Sequence, residues 1–292
     1  KGNRMPLKFS PISEFFSAEA SGIDLRKHID SNIAATIEKV MDRHAVLVWR
    51  DQPIDEDQHM ALTKWFGPLD MGLLPITKKP NRFKHRGFVD VANINADKKI
   101  MVRDHHSVTS SMANQFWHTD SSFLPTVAKY SLLCACEVPA RGGETEFADL
   151  RAAYDELPPE LKEIVADLIG EHHPLYSRML LGNRYSDEQL SSITSAHWPL
   201  IRTHPGSGRK VLFAPIHIHK IEGMSMPEAR ILIHELIEHC TQRKFVYRHK
   251  WQVGDLVMWD NRSTLHRGRR FDYTQRRELR RTTTIEGGTS PA

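Results

Sequence analysis

Cysteine, long apolar stretches and excess charge are all scarce in this chain of 292 residues. Its three cysteines are too few, and odd in number, for a disulfide framework, which favours a reducing cytoplasm. No apolar run approaches the roughly 20 residues that a helix needs to span a bilayer. Residues 1–5 lack the apolar core of a secretory signal. A net charge of +4 is too small to indicate nucleic-acid binding. We therefore expect a cytoplasmic protein with neither a membrane nor a nucleic-acid partner.

The chain also has no internal repeat and no low-complexity linker. Its hydrophobic fraction of 40% and charged fraction of 26% are ordinary for a globular protein, so its length allows one large domain or two small ones. Because nothing in the composition marks a boundary, we expect a single domain over residues 1–292.

Apolar periodicity predicts helices in the first third of the chain. A helix over residues 32–43, capped by Ser31, is followed by a buried strand over residues 45–49. A second helix is predicted from Asp55 through Phe66, where Gly67 and Pro68 end it. Residues 70–115 show no clear period and are predicted to be irregular.

From Gln115 onward the pattern changes to short apolar runs separated by turn residues. We predict strands over residues 127–138, 144–147, 245–251, 255–259 and 277–285, and helices over residues 158–169 and 227–240. The fold class is therefore mainly β with flanking helices, an antiparallel barrel or jelly roll. An N-terminal helical layer (about 30–70) and a helical insert (about 150–240) would surround this core.

The first candidate site is the triplet His118-Thr119-Asp120 together with His266. On a strand, His118 and Asp120 point to the same face, and His266 completes a metal site if the fold returns it there. Two histidines and one carboxylate are the ligands of non-haem Fe(II) oxygenases. The chain has 17 histidines, so an isolated His-x-Asp also arises by chance.

Other metal-binding residue types are interpreted as structural. His204, His217 and His219 have no carboxylate at a matching spacing, so we expect strand residues with local hydrogen bonds. Cys134 and Cys136 alternate within an apolar run and are predicted to be small core residues.

The second candidate site is the basic strand near the C-terminus. Alternation places Arg277 and Arg281 on one face, and a buried guanidinium needs an anionic partner. Because no run of inward acids matches them, carboxylate ligands are one interpretation, since arginine binds carboxylates through two parallel hydrogen bonds. An exposed basic strand, or one that binds a polyanion, is equally compatible with the pattern.

Longer motifs connect these residues: GIDLR (residues 22–26), FWHTDSSF (116–123), GGETEF (142–147), VGDLVMWDNR (253–262) and HRGRR (266–270). With them the chain resembles the Fe(II)/2-oxoglutarate-dependent dioxygenases of the taurine dioxygenase superfamily. Within it the chain is most similar to the 2,4-dichlorophenoxyacetate and phenoxypropionate dioxygenases. The resemblance spans nearly the whole chain and implies a double-stranded β-helix.

The resemblance also implies a role for each candidate residue. His118, Asp120 and His266 would bind Fe(II), with O₂ as a further co-substrate. Thr145 and Arg277 would bind 2-oxoglutarate. Arg281 would bind the acidic group of a small-molecule carboxylic acid, and Lys99 and Arg103 are further candidates for that group. No catalytic residue beyond the metal ligands is implied.

The implied reaction is hydroxylation of an aryloxyalkanoate next to its ether oxygen, with release of a phenol, an oxoacid, succinate and CO₂. Residues 73–76 and 100–102 are candidates for the aromatic-ring pocket. A taurine or alkylsulfonate dioxygenase, a non-catalytic jelly-roll metal-binding protein and a polyanion-binding module are the alternatives. The sequence leaves a homo-oligomer open.

Overall fold

The computed structural model describes residues 7–14, 16–72 and 82–287. Within them the protein is mainly β, with helices at the sides of two main sheets. The strands are β1 (Lys8–Pro11), β2 (Ser17–Ser21), β3 (Val46–Trp49), β4 (Val89–Ala92), β5 (Ala128–Glu137), β6 (Thr145–Asp149), β7 (Ile169–His172), β8 (Ala196–Pro199), β9 (Ile201–Thr203), β10 (Lys210–Leu212), β11 (Ile218–Ile221), β12 (Val246–His249), β13 (Leu256–Asp260), β14 (Thr264–Gly268) and β15 (Glu278–Ile285). The α-helices are Ser31–His44, Glu56–Lys64, His106–Ser111, Leu150–Asp155, Pro159–Val165, Tyr176–Met179, Asp187–Ser191 and Met226–Cys240.

The larger sheet has seven strands in the order β1-β2-β3-β13-β5-β15-β4. Its neighbours are antiparallel except β2 and β3, which run parallel. The second sheet has the order β12-β6-β14, and a bridge between His118 and His266 extends it by one short segment. Two small sheets, β11-β7-β8 and β10-β9, lie in the segment between β6 and β12.

Three apolar cores hold these layers together. Between the two main sheets, Phe147 packs with Trp259, Leu133 and Leu279. On the outer side of the larger sheet the core contains Ile37 of the helix Ser31–His44. The third core covers the other face of the second sheet and includes residues of the helix Met226–Cys240. The two outer cores therefore cover the far face of each sheet and support the sheets that form the walls of the site described below.

Helix boundaries follow local capping chemistry. The first helix begins at Ser31 and not at Asn32, because the carboxylate of Asp30 accepts a hydrogen bond from the backbone N–H of Ile33, 2.9 Å away. The second helix begins after Asp55, as predicted, with a reciprocal capping box between Asp55 and Gln58. It ends at Lys64, before the predicted Phe66.

Three sequence predictions are wrong in this region of the fold. Residues 70–115, predicted to be irregular, contain β4 and the helix His106–Ser111, because β4 is a short edge strand held by pairing with β15. The helix predicted to reach residue 169 ends at Val165, and Ile169 begins β7. The insert over residues 150–240 contains strands β7 to β11 as well as helices. Within the part of the chain that the structure describes, no helix has the length and apolar character needed to cross a bilayer.

Candidate active site

His118, Asp120 and His266 meet between the two sheets. Two backbone hydrogen bonds pair the histidines: His118 N–H donates to His266 O over 3.0 Å, and His266 N–H donates to His118 O over 2.7 Å. One potential ligand atom from each residue lies within 4.8 Å of the others, and all three residues are buried. Among the described residues this is the one group of three or more histidine, cysteine or acidic side chains that close together. The fold therefore returns His266 to the His118-Thr119-Asp120 motif as predicted.

The protonation states of these side chains fit a metal site. His118 Nδ1 donates to the carbonyl oxygen of Phe116 over 2.8 Å, which leaves the lone pair on Nε2. Burial lowers the pKa of both His118 and His266. For Asp120, burial raises the pKa, but the charge of Arg281 foremost, together with the neighbouring His266 and His118 and a hydrogen bond from Ser131, outweighs this effect and brings the value to about 2. Neutral imidazoles and an ionised carboxylate are the forms that bind a divalent metal.

Two residues that the sequence reasoning missed orient Asp120. Ser131 Oγ donates to Asp120 Oδ2 over 2.7 Å, and Asn261 Nδ2 donates to Ser131 Oγ over 2.9 Å. Asn261 Oδ1 in turn accepts from the backbone N–H of Asp120 and from Trp259 Nε1. The WDNR motif was the available signal for Asn261, whereas Ser131 lies in an apolar strand without any distinctive neighbour.

Arg277 is a buried cation that no carboxylate of the described residues neutralises. Its guanidinium donates to the backbone oxygens of Gly143, over 3.1 Å, and Val91, over 3.3 Å, while its Nε has no partner. Burial lowers its pKa to about 10, which Tyr273 only partly opposes. Thr145 lines the same cavity; its hydroxyl accepts from Trp251 Nε1 over 3.0 Å and so keeps its own proton to donate. This arrangement fits an incoming carboxylate.

Arg281 has an anionic partner inside the protein, which the sequence reasoning did not anticipate. Its Nη1 lies 2.5 Å from Oδ1 of Asp120, and 17% of its side chain is exposed. Arg277 and Arg281 line one cavity of about 80 Å³ together with His118, His266 and other residues. Arg281 on β15 and Arg277, one residue before it, therefore face the same cavity, which agrees with the first of the two interpretations of this basic segment. Their roles remain predictions.

An outer cleft of about 1340 Å³ shares five lining residues with this cavity: Gln115, Gly268, Arg269, Phe271 and Tyr273. Arg103 and residues 100–102, both predicted substrate contacts, line the cleft, as does Leu181. Lys99 is exposed and lines neither space. Residues 73–76, the other predicted part of the ring pocket, lie outside the described residues.

The remaining histidines of interest have local partners. His217 Nδ1 lies 3.1 Å from Ser122 Oγ, and its ring meets that of His118 edge-on at 6.0 Å. His204 pairs with Asp260, and His219 Nδ1 donates to the carbonyl oxygen of Glu171. These contacts agree with the interpretation of the three histidines as hydrogen-bonded structural residues.

A mainly β protein that buries two histidines and one carboxylate between its sheets has the ligand set of the non-haem iron oxygenases. The family model described as "Taurine catabolism dioxygenase TauD, TfdA family" matches residues 8–283. The chain belongs to this family.

Individual relatives cover almost the whole chain. It is 48% identical over 283 residues to an alpha-ketoglutarate-dependent 2,4-dichlorophenoxyacetate dioxygenase of Cupriavidus pinatubonensis, covering 97% of this chain and 99% of the relative. It is 33% identical to an (S)-phenoxypropionate/alpha-ketoglutarate-dioxygenase of Sphingobium herbicidovorans, covering 92% and 91%. The crystal structure of AAD-2 in complex with Mn(II) and N-oxalylglycine is 42% identical and superposes with a TM-score of 0.90, covering 99% of this chain and 100% of that chain.

Proposed function

We propose that this protein is an Fe(II)- and 2-oxoglutarate-dependent dioxygenase that hydroxylates an aryloxyalkanoate next to its ether oxygen. The unstable product would break down to a phenol and an oxoacid, while 2-oxoglutarate leaves as succinate and CO₂. When bound, ferrous iron activates O₂, with 2-oxoglutarate and the substrate together providing the electrons that reduce it. The similarity to dioxygenases named for 2,4-dichlorophenoxyacetate and phenoxypropionate supports this substrate class.

The observation that carries the proposal is the pairing of a metal-ligand triad with two arginines around one cavity. Apart from the 2-oxoglutarate carboxylate that the metal would hold, the reaction needs a place for two carboxylates: the distal one of 2-oxoglutarate and that of the substrate. Arg277 has no anionic partner in the part of the chain that the structure describes, so it and Thr145 would hold the distal carboxylate of 2-oxoglutarate. Arg281 lies next to Asp120 and would hold the substrate carboxylate close to the metal.

The outer cleft supplies the rest of substrate recognition. Its apolar residues, Ile100, Met101, Val102 and Leu181, offer a wall for an aromatic ring, and Arg103 adds a cation. The tasks of these side chains are to bind, orient and exclude water, because no residue is required as a general acid or base. Lys99 is a weaker candidate, since it lies outside both cavities.

We further propose that the core is a double-stranded β-helix, with the larger sheet and the sheet β12-β6-β14 as its two faces. The packing of Phe147 against Trp259 and Leu279 between these sheets supports this architecture.

A single domain and a cytoplasmic location also remain proposals. Cys134, Cys136 and Cys240 are free thiols, which agrees with a reducing compartment.

A panel of acids tests the substrate class. Succinate formation and phenol release would be measured with Fe(II), 2-oxoglutarate and an aryloxyacetate, each enantiomer of an aryloxypropionate, or taurine. We expect turnover with at least one aryloxyalkanoate and little with taurine. Preferential oxidation of taurine or an alkylsulfonate would instead support the alternative within the family. Metal binding without any 2-oxoglutarate consumption would support a non-catalytic protein.

A further inference from the structure

Two rows of side chains cross the second sheet, one on each face. The inner row follows the strand order β12, β6, β14 and the His118 segment, and consists of Tyr247, Phe147, His266 and His118. Successive ring centroids are 6.4, 6.2 and 4.2 Å apart. The last two rings are the predicted metal ligands, so this row ends at the metal site.

The outer row occupies the neighbouring register positions on the same strands. Arg248 and Arg267 both face Glu146 across the sheet. Arg248 Nη2 lies 2.5 Å from Glu146 Oε1, and Arg267 Nε donates to Glu146 Oε2 over 2.7 Å. The guanidinium carbon of Arg267 then sits 4.5 Å from the centre of the Trp117 ring. One carboxylate therefore joins β12, β6 and β14, and a cation–π contact joins β14 to the segment that carries His118.

The outer row is connected directly to the metal ligands. Trp117 precedes His118, and Arg267 follows His266. Because His118 and His266 are directly opposed in an antiparallel bridge, Trp117 and Arg267 are the next opposed pair, with side chains on the opposite face. A contact that sets the distance between Trp117 and Arg267 thereby constrains the two backbone segments that carry the histidines.

Glu146 is buried and negatively charged, and both properties are needed to hold the guanidinium of Arg267 in place. Only 4% of its side chain is exposed, compared with 29% for Arg267 and 50% for Arg248. Burial raises its pKa, but hydrogen bonds from Arg267 and Arg248 outweigh this effect and lower the pKa below its usual range. The carboxylate is therefore a buried anion that is hydrogen-bonded to two guanidinium groups and lies 3.7 Å from a third, that of Arg269. Arg267 loses its anchor without it.

We propose that Glu146 is a positioning residue for the metal site, which acts by holding Arg267 over Trp117 and so fixes the separation of His118 and His266. The inference rests on the metal centre of the proposed function and not on the identity of the acid substrate. Glu146, the second glutamate of the GGETEF segment, neither lines the inner cavity nor contacts a predicted ligand. The proposal gives this residue a function.

Mn(II) affinity is the readout, measured by titrating metal-stripped protein and following free Mn(II) by electron paramagnetic resonance. The variants are Glu146→Gln, Arg267→Gln and the double variant, with urea unfolding of each metal-stripped protein measured in parallel. Asp155→Asn is the matched control, because it removes the exposed Arg209–Asp155 ion pair, 2.5 Å long, without touching the second sheet. His266→Ala establishes that the metal is bound at this site.

For Glu146→Gln we expect the Kd for Mn(II) to rise about tenfold, as for other residues that orient metal ligands. Asp155→Asn should leave it within about twofold of the wild type, the scatter expected for a remote surface pair. The double variant should bind Mn(II) about as weakly as Glu146→Gln, because Arg267 acts through the same contact. Lower stability with an unchanged Mn(II) affinity would mean a purely structural role and overturns the proposal.

Arg267→Lys covers the case in which Glu146→Gln does not fold. Lysine keeps the charge but loses the planar group that both pairs with Glu146 and stacks on Trp117, so a smaller rise in Kd is expected. An unchanged Kd in that folded variant equally overturns the proposal. Wild-type protein that binds no Mn(II) overturns both the proposal and the metal centre. Mn(II) binding with the expected variant effects, but without oxidation of any acid, overturns only the proposed substrate class.

Discussion

Arg280 and Arg281 lie on β15 and Arg277 immediately precedes it, yet each guanidinium has different surroundings. Arg277 reaches backbone carbonyls in the inner cavity, Arg281 pairs with Asp120, and Arg280 on the other face donates to the carbonyl oxygen of Ile54. Alternation along the strand is sufficient to separate Arg280 from the other two. The difference between Arg277 and Arg281 depends on Asp120, which comes from a distant part of the chain.

Replacing Arg277 by glutamine tests its role toward 2-oxoglutarate. A buried carboxylate that loses a charged partner costs about 2–5 kcal/mol, so the KM for 2-oxoglutarate should rise by a factor of about 30 or more. Arg276→Gln is the control, because the neighbouring Arg276 forms a partly exposed pair with Glu137. A KM that changes equally little in both variants would remove Arg277 from the 2-oxoglutarate site.

Arg281→Gln tests the pairing with Asp120 through the pH dependence of metal binding. Burial raises the pKa of Asp120 and Arg281 is the largest opposing influence that holds it at about 2, so the variant should have a higher Asp120 pKa. A proton competes with the metal below that pKa. The Kd for Mn(II) should therefore increase more between pH 7.5 and pH 5.5 in the variant than in the wild type. Parallel pH profiles would mean that Arg281 does not control Asp120.

At the residue scale, the sequence predicts functional residues that belong to a recognisable motif. It does not predict residues whose role depends only on where the fold places them. His118, Asp120 and His266 could be grouped because their residue types point to one chemistry. Ser131 could not, because a serine in an apolar strand gives no indication that it will face Asp120. Asn261 was visible as part of a motif, but its hydrogen bonds to Ser131 and to the backbone of Asp120 depend on tertiary structure.

At the scale of elements, strong local patterns were predicted and elements stabilised by their neighbours were not. The strands β5, β13 and β15 have continuous apolar or alternating sequences, and they form the centre of the larger sheet. Val89–Ala92 has the sequence VDVA and becomes a strand because β15 offers it a partner. The strand Ile169–His172 contains Gly170, whose missing side chain leaves room for Ile218 on β11. The segment therefore becomes a strand through its pairing with β11.

The turn between β5 and β6 allows an element-scale prediction, since both of its glycines have positive φ angles of 78° and 74°. A Cβ at Gly142 would lie 2.3 Å from the backbone oxygen of Arg270, whereas one at Gly143 would lie 3.0 Å from Nε of Arg277. Gly143→Ala should therefore displace the guanidinium and raise the KM for 2-oxoglutarate. Gly142→Ala should mainly reduce the free energy of unfolding, because a backbone atom cannot move aside easily.

Gly208→Ala is the control for both substitutions. Gly208 also has a positive φ, 68°, but a Cβ there would meet no atom within 4 Å. It measures the cost of the left-handed backbone alone, about 1–2 kcal/mol. Urea unfolding and 2-oxoglutarate kinetics of the three variants separate the effects. A Gly143→Ala variant with normal KM and only the Gly208→Ala stability loss would show that Arg277 tolerates the displacement.

At the scale of the whole molecule, burial of uncharged imidazoles couples folding to pH. His59 lies on the buried face of the helix Glu56–Lys64, and His172 lies in β7, far from it in sequence. Burial, assisted by Arg280 for His59 and by Arg202 for His172, lowers the pKa of each to about 3. Neither nitrogen of His172 has a hydrogen-bond partner among the described residues. If the ring were protonated in the folded protein, its N–H groups would therefore lack an acceptor. Each histidine thus favours the unfolded chain in acid.

The pH dependence of stability has a definite sign. Unfolded histidine binds a proton below a pKa of about 6.5, whereas the folded forms of His59 and His172 remain neutral until about pH 3. Between these values the unfolded state holds more protons, so stability decreases as pH falls, by up to about 1.4 kcal/mol per pH unit for each histidine.

His172→Leu should reduce this slope by up to about 1.4 kcal/mol per pH unit between pH 6 and pH 4. Urea unfolding with a chelator present measures it, since the chelator removes any proton release linked to metal binding. His172 stacks on the ring of Phe213, with the ring centroids 5.6 Å apart. The change in slope isolates ionisation, because a packing defect at this contact shifts stability equally at every pH. His234→Leu, at an exposed position of the helix Met226–Cys240, controls for the loss of a histidine as such. Equal slopes in the wild type and His172→Leu would mean that His172 gains its proton without unfolding, and that its burial is not a source of acid sensitivity.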